Sequence, residues 1–159
     1  MRESVPMSME SKVSEILENI LSLLSLEGSF EVTEQEDLVA ASIETEDAGR
    51  LIGKQGENLS ALQLIVNQIL SKQLPPDLEF KKVVIDVENW KKDKEEDLKE
   101  KVKSWVEQVK INKKELELEP MPAWQRRIVH LEIEKVGGIT SESIGEGEER
   151  HLVIKPQNL

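Results

Sequence analysis

The stretch Asp47-Ala48-Gly49-Arg50-Leu51-Ile52-Gly53-Lys54-Gln55-Gly56-Glu57-Asn58-Leu59 decides the fold. A short helical turn over 47–52 is interrupted by Gly53-Lys54-Gln55-Gly56. Leu59, Leu62, Ile65, Val66, Ile69 and Leu70 then mark a second helix, which ends before Pro75-Pro76. Two glycines three apart let the backbone turn sharply and leave no Cβ to hold a ligand's backbone away. The helix starting at Glu57 offers unpaired N–H groups and a partial positive charge, and Lys54 adds a full charge that a phosphate can meet. Taken alone, the turn reads equally well as a structural corner with no ligand.

Its surroundings say more. Upstream, Val13, Ile16, Leu17, Ile20, Leu21 and Leu24 recur at three- and four-residue steps, so 9–26 is expected to be an amphipathic helix stopped by Gly28. Ser29–Thr33 and Leu38–Glu44 read as a hairpin around the acidic turn Glu34-Gln35-Glu36-Asp37. Downstream, Lys82-Val83-Val84-Ile85-Asp86-Val87 is a strand rich in β-branched residues. The order is α-β-β-α-α-β, ending near Glu88, and residues 1–8 read as a loose, disordered N-terminus.

Beyond that point, Leu98, Val102, Trp105, Val106 and Val109 form a helical stripe over 90–110, with Glu95–Lys99 and Asp97–Lys101 in the favourable i,i+4 order. Leu116-Glu117-Leu118-Glu119 alternates like a strand, and Pro120 and Pro122 punctuate before a helix that runs to about Lys135 and stops at Gly137-Gly138. Ile139–Ser143 and His151–Lys155 close the chain as a pair of strands around Gly145-Glu146-Gly147. On the helix, Arg126 and His130 share a face at i,i+4, while Trp124, Ile128 and Leu131 mark the face expected to pack in the core. A guanidinium beside an imidazole suits a phosphate; it equally suits an internal glutamate or carbonyl.

The first half, with its Gly53-Lys54-Gln55-Gly56 turn in the α-β-β-α-α-β order, resembles a KH domain of the type II arrangement. The run Glu119-Pro120-Met121-Pro122, Arg126-Arg127-Ile128-Val129-His130, Thr140, Ser143, Gly145-Glu146-Gly147 and Arg150 resembles the single-stranded-nucleic-acid domain named for its Arg-x-x-x-His signature. With Asp86-Val87-Glu88-Asn89-Trp90 at the junction, residues 9–158 look like the Jag family of bacterial SpoIIIJ-associated proteins. That resemblance implies an α+β protein with a type II KH domain over 9–88 and a small second α+β domain over 89–158, the latter including its leading helix.

It further implies a clamp on single-stranded RNA at Gly53, Lys54, Gln55 and Gly56, with Arg50, Leu51 and Ile52 lining the groove. A second contact set is implied at Arg126, Arg127, His130 and Arg150. Single-stranded DNA is the other ligand of the same chemistry, and a further small KH protein is the implied partner. The implied role is post-transcriptional, linked to cell elongation or division. Two departures stand out: many members carry a further N-terminal domain and linker, and Glu148-Glu149 precede Arg150-His151 where the family commonly has paired arginines.

Composition bounds the rest. The chain has 159 residues, 38% hydrophobic and 33% charged, and no apolar run long enough to cross a bilayer, so a soluble cytoplasmic protein is expected. With no cysteine and two histidines, neither a disulfide framework nor a metal centre is expected, and no cofactor is called for. His130 with Ser141 or Ser143 lacks a nucleophile elbow, and the glycine turn lacks Walker spacing, so no enzyme is expected. Three Trp, two Phe and no Tyr argue against base stacking on rows of aromatics.

The net charge of −11 opposes nucleic acid at face value. Its distribution changes that. Residues 1–89 carry 7 bases and 17 acids, residues 90–159 carry 14 and 15, and 13–49 hold ten acids with no base. The expectation is acid on the first helix and hairpin, with basic spots confined to the two motifs. The competing reading is an acidic protein-interaction module whose RNA sites have decayed.

Overall fold

In the computed structural model, which describes residues 8–157, the chain divides between Trp90 and Lys91 into two compact units. Most of the N-terminal arm expected over 1–8, and Asn158 at the other end, lie outside the described residues. Ser8 is described, and its hydroxyl accepts from the Ser11 N–H at 3.1 Å, capping helix α1 (Met9–Leu23).

Helix α1 ends earlier than Gly28. Ser25 takes the left-handed conformation (φ 55°), its N–H donates to the Ser22 carbonyl, and the Leu26 N–H reaches the Leu21 carbonyl, both at 3.0 Å. This is the bond pattern of a Schellman cap, and packing of Leu26 against the core that contains Leu21 compensates the cost of a non-glycine residue there. Gly28 instead opens strand β1 (Gly28–Glu34), which pairs antiparallel with β2 (Leu38–Thr45).

Helix α2 (Ala48–Ile52), a tight turn over 54–56 and helix α3 (Glu57–Gln73) carry the chain to β3 (Lys82–Val87), which lies parallel to β2. The sheet order is β1-β2-β3. Alternation sends Val39, Ala41 and Ile43 of β2 and Val83, Ile85 and Val87 of β3 into one core with Val13, Leu17, Leu59, Val66 and Leu70 of the helices. The opposite sheet face, with Ser42 and Glu44, stays exposed.

As an end strand, β3 would leave backbone groups unpaired on its outer side. Helix α3 covers them. Asn67 accepts from the Val83 N–H at 2.8 Å and donates to the Val83 carbonyl at 2.9 Å, while Gln63 accepts from the Ile85 N–H at 3.0 Å. Residues four apart on a helix rise about 6 Å and residues two apart on a strand about 6.6 Å, so the two pairs match.

The second unit begins along α4 (Trp90–Asn112), where Glu95 and Lys99 close at 3.1 Å. Strand β4 (Leu116–Glu117) is shorter than the alternation over 116–119 suggests, although the Leu118 N–H still donates to Leu152. Helix α5 (Ala123–Glu134), β5 (Ile139–Ile144) and β6 (His151–Pro156) complete a sheet ordered β4-β6-β5. Leu98, Val102, Val106 and Val109 meet Val129, Ile133, Ile139, Leu152 and Ile154 in its core.

The buried arc of α5 is Gln125-Val129-Ile133, whereas Trp124 and Ile128 are half-buried and Leu131 is 47% exposed. Apolar residues occupy more than half of this helix's circumference, so periodicity alone does not choose the arc; the sheet beneath it does.

Candidate functional site

In the first unit the glycine turn is built from conformations that select its residues. Gly53 has φ 72° and ψ −175°, a region essentially confined to glycine. Gly56 is left-handed at φ 81°, and Gln55 between them is left-handed at φ 52°. The Gly56 N–H donates to the Gly53 carbonyl at 3.3 Å, and Asn58 Nδ2 donates to the Arg50 carbonyl at 2.8 Å, tying the first turn of α3 to the last turn of α2.

Lys54 and Gln55 are exposed at the tip of this turn. No side chain caps the N-terminus of α3, which begins at the end of this turn with Glu57 in its first turn. Arg50 is exposed and borders an apolar hollow of 290 Å³ together with Leu51, Leu24, Leu26, Asn58 and Ile65. Leu51 and Ile52 also belong to the core, at 4% and 8% exposed.

A second hollow runs along α3 beside the end strand, lined by Ser60, Gln63, Leu64, Asn67, Phe80 and Lys82. Of these, Leu64 and Phe80 are exposed apolar side chains, which suits contact with a base. Sequence reasoning missed this set because Leu64 lies off the apolar stripe of α3 and Phe80 falls in the loop before β3. Glu27, Glu44, Glu46, Asp47 and Glu88 gather around a separate hollow of 730 Å³, to which none of Gly53–Gly56 contributes.

In the second unit, the Arg-x-x-x-His pair of α5 lies over β5. Arg126 Nη1 donates to Ser143 Oγ at 3.0 Å, and His130 Nδ1 is hydrogen-bonded to Ser141 Oγ. The same match of four helical residues to two strand residues seen at α3 and β3 recurs here. Arg126 Nε also donates to the Met121 carbonyl at 3.1 Å.

Arg150, from the turn before β6, donates to the same Ser143 Oγ from Nε at 2.8 Å and to the Gly145 carbonyl from Nη1 at 3.3 Å. Two guanidiniums thus meet at one hydroxyl, and among the described residues neither forms an ion pair with a carboxylate. Arg127 is exposed and stands outside this cluster. His151 bonds Glu117 at 2.8 Å and the Glu149 carbonyl at 2.9 Å, so it serves the β4–β6 seam.

His130 Nε2 pairs with Glu134 at 3.0 Å, which gives Ser141, His130 and Glu134 the connectivity of a hydrolytic triad. The His130 and Glu134 side chains are 46% and 59% exposed, and this is an open surface network rather than an enclosed reaction centre. Buried Gln125 has its Nε2 without a partner among the described residues. Among those residues no group of three or more potential ligands could hold a metal, and no helix is long and apolar enough to cross a membrane.

Comparison with known proteins matches the KhpA/KhpB KH domain over residues 10–76 and the Arg-x-x-x-His domain over residues 90–156. The chain is 34% identical over 140 residues to the RNA-binding protein KhpB of Bacillus subtilis (strain 168), covering 87% of this chain and 66% of the relative. It is 30% identical over 149 residues to the RNA-binding protein KhpB of Clostridium symbiosum, covering 92% and 66%. A third similar protein, the RNA-binding protein KhpB of Streptococcus pneumoniae serotype 2, is 24% identical over 144 residues, covering 91% and 43%. The chain therefore spans just under two thirds of the length of the two more similar relatives.

Proposed function

The chain belongs to the KhpB/Jag family, in which a KH domain is followed by an Arg-x-x-x-His domain, and from that premise we propose that it binds single-stranded RNA through both units. The observation that carries this reading is the meeting of Arg126 and Arg150 without a carboxylate between them. Each guanidinium has five N–H donors and spends two on the protein, leaving three apiece for an anion. His130, one helical turn from Arg126, extends the same surface.

The first unit contributes differently. Lys54 and the uncapped start of α3 meet the backbone of the strand, while Leu64, Phe80 and Lys82 offer bases an apolar hollow with one cation. We read this unit as a type II KH domain over 9–88, on the support of its α-β-β-α-α-β order and the parallel β2–β3 pair, and 89–158 as the Arg-x-x-x-His domain. Arg50 and Leu51 border an apolar hollow beside the turn, with Ile52 buried next to them, which supports their role as the lining of the groove.

The wider role carried over from the family is post-transcriptional regulation linked to cell elongation or division, with a second small KH protein as partner. Crosslinking from cells, followed by sequencing of the attached RNA, tests role and target together. Binding itself is tested by titrating the chain into labelled single-stranded RNA at a series of salt concentrations. About four phosphate contacts give a log–log slope near −3. No binding at low salt, or binding that is flat with salt, overturns the proposal; equal affinity for DNA of the same sequence assigns the site to single strands of either kind.

A further inference from the structure

We propose that Ser143 organises the phosphate site of the second unit: its hydroxyl oxygen holds the Arg126 and Arg150 guanidiniums together, and its hydroxyl proton goes to the phosphate they meet. This rests on the reading of the two arginines as phosphate contacts and gives a role to Ser143, which is not one of the contact residues named for either unit.

The argument starts from an accounting of one hydroxyl. A serine oxygen has two acceptor positions and one proton to donate. At Ser143, Arg126 Nη1 takes one acceptor position at 3.0 Å and Arg150 Nε takes the other at 2.8 Å. The O–H is left only a donor's role, and among the described residues no acceptor receives it.

Position supports the same conclusion. Ile139, Ser141 and Ser143 share the side of β5 that meets α5; Ile139 is buried there, and Ser143 is half-buried in a row where an apolar residue would pack better. Two like charges gathered on one oxygen repel each other, so the arrangement is complete only with an anion. A phosphate oxygen beside both guanidiniums is the acceptor the hydroxyl lacks.

The three groups come from helix α5, strand β5 and the turn before β6. Each arginine is otherwise held by one carbonyl, that of Met121 or of Gly145. Without the hydroxyl both side chains regain freedom that binding must remove, and the third donor is lost.

The test uses the full chain and a short fluorescein-labelled single-stranded RNA of mixed sequence, read by anisotropy at fixed salt. Ser143→Ala is expected to weaken binding about tenfold. Ser143→Thr, which keeps the hydroxyl on a residue suited to a strand, recovers most of the loss, whereas Ser143→Val, isosteric with threonine, does not. Should alanine loosen the fold, the threonine–valine pair of equal shape carries the comparison alone.

A role confined to packing is separated by a cycle. Once Arg126 and Arg150 are both alanine, Ser143→Ala changes affinity by no more than about twofold. Parent-like affinity for Ser143→Ala and Ser143→Val, or an undiminished loss in the double-alanine background, overturns the role of Ser143 and leaves RNA binding standing. If the arginine variants bind as the parent does, the phosphate site itself is refuted. A parent chain that binds no single-stranded RNA ends both readings.

Discussion

Gly56 lies against the Cζ3–Cη2 edge of Trp90: a Cβ placed on Gly56 would fall 2.7 Å from both of those indole atoms. Trp90 itself packs against the core of the first unit, so the glycine turn rests on a residue that follows the last strand of that unit. The contact converts a flexible residue type into a fixed corner.

Gly56→Ala is accordingly expected to destabilise the first unit by about 2 kcal/mol or more, the sum of a left-handed alanine and the overlap with the indole. Hydrogen-exchange protection of the β2 and β3 amides measures this directly. In a Trp90→Ala background the added cost of Gly56→Ala should shrink to the backbone part alone. An equal cost in both backgrounds would show that the indole does not constrain the turn.

Lys54→Asp with Gln55→Asp should act in the opposite way. Both side chains are exposed, and aspartate tolerates the left-handed conformation that Gln55 adopts. RNA affinity should fall at least about tenfold, because two acids then face the end of α3 proposed to meet phosphate, while the melting temperature stays close to that of the parent. A large loss of stability with unchanged affinity would make the turn purely structural.

Asn67→Ala removes three hydrogen bonds, to the Gln63 carbonyl and to both backbone groups of Val83, and strands the N–H of a fully buried residue. A cost of about 2–4 kcal/mol is expected in chemical denaturation of the first unit. Asn67→Asp keeps the acceptor for the Val83 N–H but loses the donor for its carbonyl, so an intermediate loss is expected. A loss under about 0.5 kcal/mol for alanine would mean that water covers the edge of β3 equally well.

Lys155 donates to Glu142 at 2.7 Å across the β5–β6 pair. That hydrogen bond first, then the charge of Glu142 and more weakly that of Glu115, raises its pKa above the ordinary 10.5. A raised value on a cation means that the stabilisation is complete below the ordinary lysine pKa and is lost as pH rises through the folded one. The difference in melting temperature between the parent and Lys155→Met should therefore be constant from neutral pH up to about pH 9 and fade only in strong alkali. A difference that fades near neutrality would place its origin in another group.

Much of the fold was open to reading because its signals are local. The stripe of α1, the β-branched run of β3, the proline stops and the paired glycines each act within one or two turns of chain. Boundaries set by contact were not. Gly28 looks like the stop of α1, yet Ser25 supplies it, because Leu26 can reach the core only if the chain turns three residues earlier. Leu51 and Ile52, beside the glycine turn in sequence, are buried in the core, which their position next to the turn does not announce.

The amino-acid sequence by itself determined the two-part organisation, the order of elements, the glycine turn before α3 and the shared face of Arg126 and His130, since each follows from spacing along one segment. Only the tertiary structure decided that Trp90 supports Gly56, that Asn67 and Gln63 close the edge of β3, and that Arg150 meets Arg126 at Ser143. Those three relationships join residues from separate elements, and no periodicity encodes them. They exist because burying the apolar faces brings those elements together, and the polar side chains at the seams then bond whatever groups the packing has placed within reach.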